Sequence, residues 1–301
     1  MGKQFTFINA RVIDPKVKSE TSGTLTINDG HIEKRDGGIK GKVIDCGGMC
    51  LAPGIIDIGV KVCEPGEKHK ESFRSASNAA AIGGVTSLVT RPDTKPSIDN
   101  PELLEFFKNR GKEFSKVRIF PTASLTKKNN GKKMTEIGFL HEGGAVAFTD
   151  GFNSIPNTKT FHTILKYASD FDTLIIGHPQ DHFLTQSTSA SSGVFASIKG
   201  LSSSPNIAEK IGIERDTALV NNINIRYHAD QITTKIGLDV LRHAKKNNDR
   251  VTAGTSIHHI LFNELDIGNY RTFFKLKPPL RNNIDREALT EAMKELSLIH
   301  I

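Results

Sequence analysis

Two patterns of hydrophobic and polar positions divide the chain near residue 50. Residues 5–46 hold short alternating stretches at 5–8, 24–27, 31–32 and 42–44, separated by Asn28-Asp29-Gly30 and Asp36-Gly37-Gly38. A period of two, interrupted by Asn, Asp and Gly, is typical of strands joined by tight turns. Residues 1–50 therefore predict a small antiparallel β-sheet domain.

From residue 51 onward, apolar strand-like runs alternate with segments of helical periodicity, which predicts βα units and a parallel sheet in an α/β fold. The predicted strands lie near 55–62, 85–90, 117–122, 145–149, 173–177, 223–228, 250–253 and 298–301, the last incomplete. The predicted helices are 71–82, 101–109, 158–169, 207–222 with a break at Gly212, 233–247 and 285–295. The small polar residues at 185–193 predict a mobile loop.

Composition narrows the class of protein. The 301 residues are 37% hydrophobic and 24% charged, and no apolar run approaches the length of a membrane span or a signal peptide. The net charge of +7 comes from scattered Lys and Arg, which favours a solvated surface over a nucleic-acid-binding stripe. Cys46, Cys50 and Cys63 lack metal-binding spacing and predict free thiols, so we expect a cytoplasmic protein with no membrane contact.

The segment with the most chemical information is 53–66, whose sequence is PGIIDIGVKVCEPG. On a strand, Asp57, Gly59 and Lys61 share one face. The segment resembles the first barrel strand of the amidohydrolase superfamily and, together with the later strand ends, it resembles the class I dihydroorotases. That family has PGxxDxHxHxRxPG here, where the two His bind zinc and the Arg holds the substrate carboxylate. Gly59, Lys61 and Cys63 occupy those three positions.

The next strand ends extend the resemblance. RPDTKP at 91–96 resembles the family's MPNTxP, with Asp93 in place of an Asn that helps to hold the substrate. FTDG at 148–151 resembles FSDDG, whose first Asp binds metal, and HPQD at 178–181 resembles HAED. The resemblance implies that Asp150 and His178 keep metal-binding positions.

The last strand ends depart further from the family. In 228–234, HADQITT resembles HxxHxST, with Gln231 replacing a zinc-binding His, and in 275–281 Lys277 replaces a substrate-binding Asn. For His258-His259, which match a paired His of the family, packing or loop hydrogen bonds are favoured over metal binding. The family's general base, an Asp after strand eight, and the strands that complete its small sheet would come after Ile301.

The resemblance implies a TIM-type (β/α)8 barrel at 51–301, with its last strand truncated, after a small sheet domain at 1–50 that is incomplete without C-terminal strands. Active relatives use zinc, whereas this pocket has lost most ligands, so the chain is most similar to non-catalytic dihydroorotase-like proteins and we expect no cofactor. One alternative is a residual zinc-dependent hydrolase converting dihydroorotate to N-carbamoyl-aspartate, with one metal on Asp150 and His178. Another is a degenerating product that folds poorly.

Two further expectations concern the pocket and the partner. Buried carboxylates need a compensating cation, so we expect the Lys61 ammonium to replace the metal and to pair with Asp150, or with Asp57 or Asp230. The resemblance also implies a structural role in pyrimidine biosynthesis as a partner of aspartate carbamoyltransferase, and hence an oligomer or hetero-complex.

Overall fold

The computed structural model describes residues 4–35, 38–295 and 299–300 and divides into two compact units, Met1–Ile55 and Ile56–Ile301. The first unit is a five-stranded sheet made of β1 (Gln4–Asp14), β2 (Ser19–Asn28), β3 (His31–Arg35), β4 (Lys42–Asp45) and β5 (Cys50–Leu51).

The pairing in this small sheet is mixed. β1, β2 and β3 are antiparallel as predicted, and the turn residues Asp29 and Gly30 both have positive φ, as a two-residue hairpin turn requires. The prediction was wrong for β4, which runs parallel to β1, and the short strand β5, also parallel to β1, was not predicted. Alternation sets the face of a side chain but not the direction of the neighbouring strand. The predicted turn at 36–38 lies mostly outside the described residues.

The second unit is built on strands that succeed one another along the chain. They are β6 (Ile55–Val60), β7 (Val85–Thr90), β8 (Arg118–Pro121), β9 (Leu174–Gly177), β10 (Ala190–Ser191), β11 (Ser203–Ser204), β12 (Arg226–Ala229), β13 (Val251–Thr255) and β14 (Ile299–His300).

The strand order places the carboxyl ends of the main strands together. β6, β7 and β8 are neighbours, β9, β12, β13 and β14 form a parallel ladder, and Phe148 bridges Ala123 to Ile175 between the two groups. The predicted strand at 145–149 is therefore reduced to these bridges. Of the predicted strand at 298–301, residues 298 and 301 lie outside the described residues.

Nine α-helices occur among the described residues. They are α1 (Phe73–Ile82), α2 (Pro101–Phe114), α3 (Ile137–Glu142), α4 (Thr158–Ser169), α5 (Val194–Lys199), α6 (Ile207–Ile223), α7 (Lys235–Asn247), α8 (Ile257–Leu261) and α9 (Asn283–Lys294).

Side-chain caps explain where the longer helices begin. Ser72, Asn100, Asn157, Thr234 and Asn282 each accept a hydrogen bond from the backbone N–H three residues later. All six predicted helices are confirmed, within a few residues at the ends of most of them. α3, α5 and α8 were not predicted, because five or six residues are too few to show a helical period.

The predicted break at Gly212 was wrong, since α6 is continuous. A Cβ at Gly212 would lie 2.4 Å from the carbonyl carbon of Pro179, so this glycine permits close packing of α6 against the segment after β9. The predicted loop at 185–193 is partly regular, because its residues 190 and 191 form β10 and pair with β11.

The core of the second unit lies between the strands and the apolar faces of the helices. Phe161, Ile164, Leu165 and Ala168 of α4 are buried in it, and the rings of Phe73 and Phe107 join α1 to α2 at 4.7 Å. In the part of the chain that is described, no helix has the length and apolar character needed to cross a bilayer.

Candidate functional site

A cavity of about 290 Å³ lies at the carboxyl ends of β6, β7, β12 and β13. Asp57, Gly59, Asp230, Gln231 and His258 line it, so the structure brings together five of the residues that the sequence singled out. A further charged group that defines the cavity is Arg91, which comes directly after β7 and was not predicted as a site residue.

Arg91 is the cation of this site. Its side chain is 4% exposed, and its Nη2 donates to Asp230 Oδ2 at 2.5 Å. Its Nε donates to the Gly59 carbonyl at 2.6 Å, and its guanidinium lies 4.0 Å from the centre of the Phe152 ring. Arg91 therefore ties the end of β6 to the end of β12.

Gln231 extends the same cluster. In the amide orientation that satisfies both of its ends, Oε1 accepts from Arg91 Nη2 at 3.2 Å and Nε2 donates to the Lys277 carbonyl at 3.0 Å. The backbone of Lys277 thus contacts the cluster, while Lys277 as a whole is exposed. Gln231 holds Arg91 in place at the position where the resemblance puts a metal ligand.

The expectation for Lys61 was wrong in its partner. Its Nζ lies 2.7 Å from Asp93 Oδ2, and it pairs with neither Asp150, Asp57 nor Asp230. β6 ends at Val60, so strand alternation no longer directs Lys61, and its side chain is 39% exposed. The buried cation that pairs with Asp230 is Arg91, which follows β7, the strand next to β6.

Asp150 has a local structural role. The Thr126 N–H donates to Oδ1 at 2.8 Å, and the Thr126 hydroxyl donates to Oδ2. Burial raises the pKa of this carboxyl to about 6, and the bonds from Thr126 oppose the rise. Both oxygens are thus committed to the turn after β8.

His178 is buried without a compensating contact. Neither ring nitrogen has a hydrogen-bond partner in the described part of the chain, and the ring meets Phe152 edge-on at 6.1 Å. Burial, with the Lys277 and Arg91 cations nearby, holds its pKa well below the usual value, so the imidazole is neutral at pH 7. Of the two residues that match the family's metal-binding positions, His178 is a neutral imidazole and Asp150 is bonded to Thr126.

The other predicted residues divide between the cavity and the surrounding structure. Burial raises the pKa of Asp57, which lines the cavity, and the Arg91 guanidinium opposes that rise. Cys63 is buried, and burial raises the pKa of its thiol. His259 bonds Ser256 Oγ at 2.8 Å and the Pro278 carbonyl at 3.0 Å, which confirms loop hydrogen bonding, while His258 is exposed and lines the cavity.

A second buried network holds the segment that carries Asp230 and Gln231. Glu209 of α6 is fully buried and accepts from the backbone N–H and the hydroxyl of both Thr233 and Thr234. Gln180 also donates to Glu209, at 2.9 Å, and Arg281 lies 3.8 Å away. This network was missed, because its members are far apart in the sequence and no local pattern links them.

The residues present do not fit a zinc ion. Among the described residues, no three His, Cys, Asp or Glu side chains form a group able to bind a metal. Where such a group would lie, the Arg91 guanidinium bonds Asp230, and an additional cation there would be repelled. Zinc binds imidazole, thiolate and carboxylate ligands, none of which Gly59, Lys61 or Gln231 supplies.

Comparisons with known proteins agree on the family. The family model described as Dihydro-orotase-like matches residues 48–237. The chain is 40% identical to the dihydroorotase of Bacillus pumilus over 264 residues, covering 88% of this chain and 61% of that protein. It is 33% identical to the "Dihydroorotase-like protein" of Pseudomonas putida over 293 residues, covering 96% of this chain and 69% of the relative.

Length and fold complete the comparison. The chain spans about two thirds of the length of these relatives, including 66% of the dihydroorotase of Ehrlichia canis, to which it is 35% identical over 297 residues. The structure is similar to that of an L-hydantoinase (dihydropyrimidinase) from Arthrobacter aurescens, with a TM-score of 0.86 at 19% identity over 99% of this chain and 68% of that one. At 19% identity, the similarity to the hydantoinase structure concerns the fold alone.

Proposed function

This chain belongs to the dihydroorotase-like family, and we propose that it is a non-catalytic member, a cytoplasmic protein on the (β/α)8 barrel scaffold of that superfamily. The observation that carries the proposal is the buried Arg91 guanidinium, bonded to Asp230 and to the Gly59 carbonyl. A fixed positive charge takes the place of groups that would bind a dication.

The chemistry of the site supports this proposal. Hydrolysis of a cyclic amide at neutral pH needs an activated water molecule, a base that moves the proton and donors for the developing charge. In this cavity the carboxylate of Asp230 is neutralised by Arg91. Asp150, bonded to Thr126, and His178, packed against Phe152, are not among the described residues that line the cavity. The two metal-binding positions that survive from the family pattern, Asp150 and His178, are therefore absent from the cavity lining.

The experiment is a paired measurement of zinc content and of dihydroorotate hydrolysis by the purified native chain. The dihydroorotase of Bacillus pumilus, purified in parallel, is the positive control. We expect far less than one zinc per chain and no turnover above background. Stoichiometric zinc with turnover would establish the alternative, a residual zinc-dependent hydrolase of dihydroorotate.

In this proposal the chain acts by binding aspartate carbamoyltransferase within pyrimidine biosynthesis. One exposed apolar surface is available for such a contact, the α5 patch, made of Val194, Ile198 and Tyr270. The Tyr270 hydroxyl donates to the Lys199 carbonyl at 2.8 Å, which places the ring beside α5. Contiguous exposed apolar side chains favour a protein interface.

Co-expression with the aspartate carbamoyltransferase of the same source tests the partner. We expect the two proteins to co-purify, and Val194→Asp with Ile198→Asp to reduce capture by about tenfold or more. Ile82→Asp is the control, because Ile82 is also exposed but ends α1, away from the patch in the sequence. Failure of the native chain to capture the enzyme would refute this part of the proposal.

A further inference from the structure

We infer that Gly59 and Arg91 are an interlocked pair, in which the Arg91 guanidinium fits because position 59 has no side chain, and its presence there excludes any metal-binding side chain from position 59. This inference rests on the proposed non-catalytic function and deepens it. It explains why restoring lost ligands one at a time would fail.

The first half of the pair is geometric. Gly59 has φ of +100°, a conformation that side-chain-bearing residues rarely adopt. A Cβ at this position would lie 3.1 Å from Arg91 Nη2 and 3.2 Å from Arg91 Nε. An imidazole at position 59 would meet the guanidinium directly.

The pair is interlocked also because three contacts hold the Arg91 side chain where it is, so that it cannot move aside. Its Nε bonds the Gly59 carbonyl, its Nη2 bonds Asp230, and the Phe152 ring covers its face at 4.0 Å. Removing the guanidinium would leave Asp230, also 4% exposed, buried without its counter-ion. A larger residue at 59 therefore requires a change at 91, and a change at 91 requires one at 230.

A double-mutant cycle on thermal stability tests the coupling directly. Gly59→Ala is compared in the native chain and in an Arg91→Met, Asp230→Asn background, where neutral side chains replace the ion pair. We expect Gly59→Ala to lower the unfolding midpoint by about 3 °C more in the native chain than in the background. Equal shifts in the two would overturn the inference.

Gly84 offers a matched control. It also has positive φ, at +78°, but a Cβ there would meet nothing within 4 Å. Gly84→Ala reports the backbone strain alone, so its shift should be the same with and without Arg91.

Zinc affinity gives a second readout. Gly59→His, Lys61→His and Gln231→His are combined in one chain that keeps Arg91 and in one that carries Arg91→Met. Competition with a zinc-binding dye should show at least about 100-fold tighter binding without Arg91, since a fixed cation repels the ion. Equal zinc affinity would overturn the inference. Zinc or turnover in the native chain would instead refute the proposed function, so the two failures are distinguishable.

Discussion

At the scale of single residues, the site depends on which cation compensates the buried carboxylates. The need for such a cation could be predicted from the sequence, because three Asp residues were expected at the strand ends without metal ligands around them. The identity of that cation could not be predicted from the sequence. Arg91 and Asp230 are 139 residues apart, and strand periodicity carries no information on contacts across a sheet. The available signal was a charged Arg91 where the family pattern has Met.

The first prediction compares two ion pairs. Arg91→Met should lower the free energy of unfolding by about 3–5 kcal/mol, because it leaves Asp230 buried and unpaired. Lys61→Met is the control and should cost less than about 1 kcal/mol, since its pair with Asp93 is partly exposed. Urea unfolding at pH 7 measures both. Similar losses would mean that Arg91 does not hold the site.

The second prediction concerns pH and His178. Its folded pKa lies well below its unfolded value near 6.5, so the unfolded chain binds the additional proton. Stability should therefore fall as the pH drops below 6.5, by up to about 1.4 kcal/mol per pH unit from this residue. His178→Leu should give a correspondingly shallower profile.

His258→Gln controls for the loss of an exposed imidazole and should give the profile of the native chain. Asp150 acts in the opposite sense, because its raised pKa of about 6 makes its contribution fall as the pH rises toward that value. Its effect is shared by all three proteins and cancels in the comparison. A His178→Leu profile parallel to the native one would contradict the assignment of a buried neutral imidazole.

At the scale of elements, the hydrophobic period predicted the long helices and most strands. α4 matches its predicted bounds, because Asn157 caps it and its apolar face is regular. The errors have distinct causes. β4 and β5 run parallel to β1, and the alternation of hydrophobic and polar residues does not reveal the direction of a strand. Gly212 was predicted to break a helix, but it lies inside one and packs against the Pro179 backbone.

The third prediction uses Gly212. Helix propensity alone predicts that Gly212→Ala stabilises α6 by about 1 kcal/mol. Because the new methyl group would meet the Pro179 backbone, we expect a loss of about 2 kcal/mol or more instead. Chemical unfolding measures whether Gly212→Ala raises or lowers the free energy of unfolding. Ala218→Gly, at an exposed position of the same helix, controls for propensity and should cost about 1 kcal/mol.

At the scale of the whole molecule, the α/β organisation was predictable because apolar strands alternate with amphipathic helices over most of the chain. The site was only partly predictable. Five residues named in the sequence analysis share the cavity, but the contacts that hold the surrounding strand ends come from Arg91, Phe152 and the Glu209 network. Those contacts join distant strand ends and form only when the sheet is assembled.

The fourth prediction concerns a fold that does not use metal for stability. A ligand that binds the native state raises the unfolding midpoint, and its removal lowers it. Because a guanidinium stands where a dication would be needed, we expect added zinc or a chelator to shift the midpoint by less than about 1 °C. Scanning calorimetry measures this, with a zinc-loaded dihydroorotase as the positive control. A rise that saturates with zinc concentration would contradict it.

The depth of the Arg91–Asp230 contact also decides how the molecule responds to ionic strength. Mobile salt ions screen charges that face water, over about 8 Å at physiological concentration, and reach desolvated pairs much less. With both side chains 4% exposed, this contact should persist unchanged in concentrated salt, whereas Lys61 and Asp93 should loosen. The ends of β6 and β12 would then stay joined through Arg91 at any salt concentration.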